Sequence, residues 1–498
     1  MKIFSATQIK QWDAFTITNE PVAAIDLMER AATACYHWLI GHNYAPQQML
    51  IFCGKGNNGG DGLAIARMLI KNNCSVTVYI LEFGNIGTPD FQTNLTRLHE
   101  CSTNIHFIQS PDFFPLIPSD SIIIDALFGT GLNKPLDGIS AALVNHINAS
   151  AKKVIAIDLP SGMFADTSSK DNTVIKATHT LTFQNYKLAF LLAENENYYG
   201  EIHLIHIDLH QQYETDEESI FELTDKTVIK SIYKPRKKFT HKGTYGHAAL
   251  ISGSYGMMGA AVLAAKACLK SGAGKLTCII PECGYNILQT TVPEAMCKVS
   301  GEKFILSANE IEKIDAVGIG PGIGLYPTHA FLLKEVFTAS AKPVLIDADA
   351  LNIIAQNKEL LSLIPPASII TPHPKEFERL FGKTANGFNR LQLALQKSKE
   401  YNIYIVLKGH FTCISTPQGK GYFNCTGNAG MATAGSGDVL SGIITGLLAQ
   451  TYTPSQACLL GVYLHGLAGD IAADQLSQEA LIAEDITACI GASFKTLV

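Results

Sequence analysis

The 498-residue chain has 12 cysteines but no C-x-x-C pair. That spacing marks most zinc ribbons and dithiol redox motifs, so neither is expected. Scattered thiols in a long chain read as reduced core residues, which suits a cytoplasmic location. No run reaches the ~18 uninterrupted apolar residues of a membrane-spanning helix. Met1-Lys2-Ile3-Phe4-Ser5-Ala6 opens no apolar stretch of secretory length. Excess basic charge is missing too. A formal net charge of −6 argues against nucleic acid as the main partner. It leaves room for anionic cofactors, which need local donors rather than global charge. Short-period repeats and low-complexity segments are also absent. What is present, 47% hydrophobic and 16% charged residues, is the composition of a globular enzyme. The length exceeds one ordinary core, so two or three domains are expected.

Residues 6–42 read as two helices, and Met49 to Cys53 as a buried strand. Gly54-Lys55-Gly56-Asn57-Asn58-Gly59-Gly60-Asp61-Gly62 follows, with a helix expected from about Leu63. Strand, glycine turn and helix form a dinucleotide-binding context, and Gly54, Gly56 and Gly59 match G-x-G-x-x-G. The asparagine pair and Asp61 are foreign to that fingerprint. Further strands are expected over Val76–Leu81, Ile105–Ile108, Ser121–Gly129 and the apolar run from Val154, which Asp158 and then Pro160-Ser161-Gly162 follow, with last strands at Leu181–Phe183 and Ile202–Asp208. Strands alternating with helices imply a parallel sheet with helices on both faces. Ligands in such sheets bind beyond the carboxyl ends of the strands. Asp61, Asp125 and Asp158 all fall at or just past that edge. Each alone suits a turn or cap, but together they suggest a site. Asn58, Asp125 and Ser161 could hold a hard cation. His203, His206 and His210 invite a metal reading, but positions 203 and 206 of one strand face opposite sides.

Glu214, Asp216, Glu217 and Glu218 give way to Lys234, Arg236, Lys237, Lys238 and Lys242. Such a charge switch marks a solvated connection. Residues 1–212 and 241–498 are therefore expected as domains, joined by 213–240. The second half again reads strand, glycine turn, helix. Its loops are Gly320-Pro321-Gly322-Ile323-Gly324, the acids Asp347 and Asp349, Thr371-Pro372-His373-Pro374-Lys375-Glu376, and Lys408-Gly409. Gly435-Ser436-Gly437-Asp438 precedes a helical pattern of Val439, Leu440, Ile443, Ile444, Leu447 and Leu448. A glycine turn at a helix N-terminus suits an anion, and one carboxylate there suits movement of a phosphoryl group. Ser436 and Asp438 are equally ordinary helix caps.

The order and spacing of the Gly-Pro-Gly-Ile-Gly, His373, Lys408-Gly409 and Gly-Ser-Gly-Asp phrases resemble the ribokinase-like domain of the ADP-dependent NAD(P)H-hydrate dehydratases. Asn57-Asn58-Gly59-Gly60-Asp61-Gly62 resembles the NAD(P)H-hydrate epimerase domain. Fused in this order, the two look like the bifunctional NAD(P)H-hydrate repair enzymes. The resemblance implies a Rossmann-like three-layer α/β domain followed by a ribokinase-like α/β domain. It implies an epimerase for (R)- and (S)-NAD(P)H hydrate and a dehydratase that uses ADP and yields AMP and phosphate. Epimerase substrate would meet Asn57, Asn58, Gly59, Gly60, Asp61, the loop Gly129, Thr130, Gly131, Leu132, Asn133, Lys134 and Pro135, and the acid–base candidate Asp158. Potassium would sit at Asn58, Asp125 and Ser161. Dehydratase substrate would contact Ala260, Gly322, Gly324, His373 and the base Asp438. ADP, with Mg²⁺, would lie on Lys408, Gly409, His410, Phe411, Thr412 and Gly437. A homo-oligomer is expected. Two departures from the family pattern are Ser436 for Thr and Lys375 for Gly. From the residues alone, a small-molecule kinase fused to a nucleotide-binding module remains an alternative, and a dehydrogenase a weaker one.

Overall fold

The computed structural model describes residues 1–82, 84–309 and 311–498. It has two compact units, which divide at Ser219 and Ile220; residues 386–388 group with the first unit and Met1 with the second. Among the described residues no helix is long and apolar enough to cross a membrane.

The strands of the first unit are β1 (Lys2–Ile3), β2 (Met49–Cys53), β3 (Val76–Leu81), β4 (Ile105–Ile108), β5 (Ile122–Ala126), β6 (Val154–Ile157), β7 (His179–Phe183) and β8 (Glu201–Ile205). β1 lies outside the sheet, whose order is β4-β3-β2-β5-β6-β7-β8. Every pairing in it is parallel. Parallel strands are buried on both faces, so they read as continuous apolar runs. In β2, Met49, Ile51 and Cys53 pack under the helices Ala24–Gly41 and Asn57–Lys71, while Leu50 and Phe52 pack toward Gly138–Ser150. In β5 the same alternation puts Ile122, Ile124 and Ala126 on one face and Ile123 on the other. Asp125 shares the side of Ile123. The order reverses between β2 and β5, which opens a crevice beyond their carboxyl ends.

The helix after β2 begins at Asn57, not near Leu63. The Asn-Asn-Gly-Gly-Asp stretch is therefore its first turns rather than a free loop. Close packing explains its glycines. A Cβ on Gly59 would sit 1.8 Å from the Gly54 carbonyl oxygen, and one on Gly54 would sit 2.0 Å from that of Leu127. The strands over 121–129 and 202–208 are shorter than expected, because the trailing residues turn away to form the edge loops, while β6 ends at Ile157, just before Asp158.

The second unit has β9 (Phe221–Thr224), β10 (His247–Ile251), β11 (Lys275–Ile280), β12 (Met296–Val299), β13 (Ala316–Ile319), β14 (Val344–Ile346), β15 (Ile369–Ile370), β16 (Tyr404–Leu407), β17 (Cys413–Ser415) and β18 (Gly421–Asn424). They run β9-β18-β17-β16-β15-β14-β13-β10-β11-β12. β16, β17 and β18 pair antiparallel and the rest of the run is parallel. The charged segment read as a connection contributes β9 and the helix Lys226–Ile232, whose Ile229 is fully buried. The helix Ser436–Ala449 lies against Met258–Lys270 at very short range. A Cβ on Gly442 would come within 2.2 Å of the Ala264 carbonyl oxygen. Small residues on both helices thus fix where the Gly-Ser-Gly-Asp turn sits.

Candidate active sites

In the first unit, Asp158 stands just past the end of β6 in a left-handed backbone conformation, φ 66°. A non-glycine residue there is uncommon and is held by its surroundings. Its backbone N–H donates to Leu181 O at 2.8 Å. Thr130 donates from its N–H at 2.9 Å and from its hydroxyl, both to Oδ2. On Oδ1 the ammonium of Lys187 sits at 3.1 Å. Lys187 is fully buried and also donates to Thr182 Oγ1 and Phe183 O, each at 2.8 Å. Burial works to raise the pKa of Asp158, but Lys187 and then Thr130 outweigh it and hold the carboxyl below its ordinary value. Its neighbours go the other way. Burial, then the charge of Asp158, push Asp13 up to about 7. The same two causes, joined by Asp13 and Asp90, put Asp61 well above the carboxylate range. One ionised acid, a buried lysine and acids held protonated form a constellation for moving protons.

Asp125 is buried at the end of β5. Leu127 N donates to Oδ1 at 3.2 Å, and Ser161 donates from N to Oδ2 at 2.8 Å and from Oγ to Oδ1 at 2.6 Å. Burial still pushes it up to about 6 against those bonds. Asn58 is the second residue of the helix Asn57–Lys71 and lies beside Gly129. A Cβ on Gly129 would lie 3.2 Å from Asn58 Cγ and 2.9 Å from Asp158 Oδ2. Both amide atoms of Asn58 are buried and lack a hydrogen-bond partner among the described residues. Leaving such groups unpaired costs free energy, so a polar ligand or ion is the natural partner. Asn58, Asp61, Gly129, Thr130 and Asp158 thus come together. Gly131, Asn133, Lys134 and Pro135 form an exposed loop beyond them. Asp13 and Lys187 were missed. Asp13 lies inside an ordinary helix, and nothing in the sequence marks Lys187 as buried.

His203, His206 and His210 do not converge. His206 is exposed, and His210 caps the helix Gln211–Asp216 by accepting from Gln212 N. His203 instead meets His179 on β7.

In the second unit the carboxyl ends of β13 to β16 meet the N-terminus of Ser436–Ala449. Gly435, at φ 88°, occupies the cap position and supplies no side chain. Ser436 and Asp438 are the first and third helical residues, so neither is the cap. Ser436 Oγ instead meets buried His465 Nε2 at 3.3 Å, and burial drives His465 down to about 4. Asp347 is buried and accepts from Lys408 Nζ at 3.0 Å and from Ser441 Oγ at 2.5 Å. Lys408 Nζ also lies 4.0 Å from Glu376 Oε2 and would be 3.3 Å from a Cβ on Gly437. Burial opposes its charge, but Asp347 and then Glu376 keep its pKa above the ordinary value. Asp438 faces this group. Burial first, then Asp347, push it up to about 7, with Lys408 pulling down and Asp349 adding to the rise.

His373 opens the helix Pro374–Phe381. Its Nδ1 accepts from Lys375 N at 3.1 Å and Glu376 N at 3.4 Å, and its own N–H donates to Glu376 Oε2 at 2.8 Å. Lys375 is an ordinary helical residue here, so no glycine is required. Gly322, at φ 62°, faces Ala260; a Cβ on it would come 3.0 Å from that of Ala260. Gly324 N donates to Asp349 Oδ2 at 2.9 Å. In the 408–412 turn, Thr412 Oγ1 donates to Gly409 O at 3.0 Å, and exposed His410 meets half-buried Phe411 edge-on, 4.6 Å between centroids. Asp347 and Asp349 were visible as paired acids at a strand end, although their contact with Lys408 and Gly324 was not. Glu376 stood in the Thr371–Glu376 phrase, although its approach to Lys408 was not visible there, and His465 gave no signal.

Residues 248–490 match the family model described as NAD(P)H-hydrate dehydratase, and residues 24–189 match that of the YjeF-related protein N-terminus. The chain is 35% identical to a bifunctional NAD(P)H-hydrate repair enzyme of Moorella thermoacetica, over 98% of this chain and 95% of that one. It is 33% identical to the Escherichia coli enzyme of the same description, over 93% and 88% of the two chains. A solved ribokinase-like superfamily protein from Enterococcus faecalis superposes with a TM-score of 0.50 at 29% identity, covering 57% of this chain and 98% of that one.

Proposed function

The chain belongs to the bifunctional NAD(P)H-hydrate repair enzymes, and from that premise we propose which residues carry its two reactions. The first unit interconverts the R and S epimers of hydrated NADH or NADPH. The second dehydrates the S epimer to NAD(P)H as ADP is split to AMP and phosphate.

For dehydration, the difficulty is that hydroxide leaves poorly and phosphate leaves well. Asp438 takes the proton of the C6 hydroxyl as the hydroxyl oxygen attacks the β-phosphoryl of ADP, and AMP departs. The ring nitrogen then supplies the electron pair that expels phosphate from C6, and the resulting iminium loses a proton from C5 to the departing phosphate or to water, giving the C5=C6 double bond of NAD(P)H. The observation that carries this reading is the Asp438 carboxyl itself, pushed up to about 7 beside Gly437 and Lys408. A base with a pKa near the working pH is best matched to proton transfer. Backbone N–H groups of the Gly435–Gly437 turn and the Lys408 ammonium oppose charge on the moving phosphoryl group. Residues 408–412 hold the nucleotide, and Ala260, Gly322, Gly324 and His373 hold the hydrate. Mg²⁺ bound with ADP would supply charge neutralisation at the phosphates. The acids at this end, Asp347, Asp349 and Glu376, would hold it, each also accepting from the protein: Asp347 from Lys408 and Ser441, Asp349 from Gly324 N and Glu376 from His373 N.

In the first unit Asp158, kept ionised by Lys187, is the acid–base group at C6, with Asp13 and Asp61 as protonated neighbours. Potassium fits the orphaned amide oxygen of Asn58 and the buried oxygens of Asp125 and Ser161, an all-oxygen set that suits a hard cation. Its charge would favour the ionised form of Asp125.

The test is incubation of mixed hydrate epimers with ADP or ATP, followed by the near-UV absorbance of NAD(P)H. Both epimers should be consumed, with the ADP reaction dominant. Accumulation of a stable phosphorylated product would instead favour a kinase.

A further inference from the structure

We infer that His179, Glu201 and His203 form a binding site for a first-row transition-metal ion such as Zn²⁺, at the end of the first sheet opposite the epimerase crevice. β7 and β8 run parallel, with His179 opposite Glu201 and Leu181 opposite His203. Residues two apart on a strand share a face, so the pairing alone brings the three side chains together. His179 Nδ1 is 3.0 Å from His203 Nε2. Glu201 Oε2 lies 3.5 Å from the first and 3.8 Å from the second. Around a tetrahedral ion with bonds of about 2.0–2.1 Å, neighbouring donor atoms stand about 3.3 Å apart. The three edges bracket that length.

Two imidazoles and one carboxylate are a familiar three-ligand set for zinc, with a fourth position left to water. Both histidines are half-buried, and a neutral imidazole offers a ring-nitrogen lone pair to an ion. Their planes are walled by aromatic rings. Trp38 lies 4.7 Å from the His203 centroid and 5.4 Å from that of His179, and Tyr44 lies 6.4 Å from the latter. Rings held this way need little reordering to accept an ion. A plain hydrogen bond between the two histidines accounts for the 3.0 Å contact but not for the carboxylate that completes the triangle. Asp158 follows the carboxyl end of β6, whereas His179 and Glu201 are the first residues of β7 and β8. The site therefore fastens the strand starts and takes no part in either reaction.

The full chain, stripped with a chelator, would be titrated with Zn²⁺ by calorimetry and with Co²⁺ by visible absorption. One equivalent should bind with a dissociation constant of about micromolar or below, and Co²⁺ should show tetrahedral bands. His203→Ala should weaken binding by more than about 100-fold, beyond what loss of an outer-shell partner costs. Glu201→Gln, an exposed and conservative change, should weaken it by about tenfold or more, so the test survives if the histidine variant fails to fold. His206→Ala should leave binding unchanged. No saturable binding, or binding unaffected by Glu201→Gln, would overturn the site.

Discussion

At the scale of single residues, the two units use buried carboxyls in opposite ways. Asp158 is paired and ionised, while Asp13 and Asp438 are pushed up to about 7. Between about pH 4 and pH 7 the fold binds protons at Asp13 and Asp438 that the unfolded chain has released. Their contribution to stability is therefore fullest at low pH, falls as pH rises through that window, and levels off above it. Asp158, with a depressed pKa, contributes above its unfolded value and loses that contribution on acidification. Asp438→Asn removes a buried charge that the fold tolerates poorly. It should leave the melting temperature at pH 8 unchanged or slightly higher, while ADP-dependent dehydration drops by roughly 10²–10⁴-fold. In the parent protein the dehydration rate should climb with pH through about 7 and then flatten. Near-normal turnover in the variant would remove Asp438 from the role of base. Lys187 makes a second case. Lys187→Met strands Asp158 as a buried lone charge and should cost roughly 3–5 kcal/mol. The double variant Lys187→Met with Asp158→Asn should recover much of that loss. Both tryptophans, Trp12 and Trp38, lie in the first unit, so urea unfolding followed by tryptophan fluorescence reads it directly. In the sequence Asp158 stands out because it follows an apolar run beside small residues, and Asp438 because a run of small residues precedes it and an apolar helical pattern follows. Lys187 was not, since a lysine is ordinarily exposed and only the fold around β7 buries it.

At the scale of elements, glycine had two possible meanings that the sequence could not separate. Gly54, Gly56 and Gly59 match a nucleotide-binding fingerprint, yet Gly54 and Gly59 serve backbone-to-backbone contact, and Gly56 has nothing within 4 Å of an added Cβ. Gly59→Ala should destabilise the first unit by about 1–3 kcal/mol or more, because the group it strikes is backbone and cannot swing aside. Gly56→Ser, at a helix cap with φ −90°, should be neutral or slightly stabilising. Equal urea midpoints for the two variants would refute this packing account. The same close contact explains why the helix begins at Asn57 rather than near Leu63. Periodicity of large apolar side chains marks a helix only once they appear, and this one spends its first turns on small residues pressed against a strand end. Lys375 gives the converse lesson. The phrase suggested a turn that wants glycine, but a histidine cap with a glutamate three residues on starts a regular helix, where lysine fits.

At the scale of the whole molecule, the strand–helix alternation of both halves was readable because parallel strands bury both faces. The charged 213–240 stretch was harder, since β9 is only four residues long and hides among lysines and glutamates. The two reactions should then be separable by one substitution in each unit. A mixture of hydrate epimers separates the outcomes cleanly, provided the assay is shorter than uncatalysed interconversion. The unaltered chain should convert the whole mixture to NAD(P)H. Asp158→Asn should convert the S fraction at an unchanged initial rate and then stop, with the R epimer left behind. Asp438→Asn should form little NAD(P)H, yet still bring a pure R sample to a mixture of both epimers, read by chromatography. If Asp158→Asn consumed both epimers as fast as the parent, Asp158 would lose its role in the first unit while the assignment of Asp438 stood. If either variant lost both activities together, the two sites would not be the independent centres that their separate sheets imply.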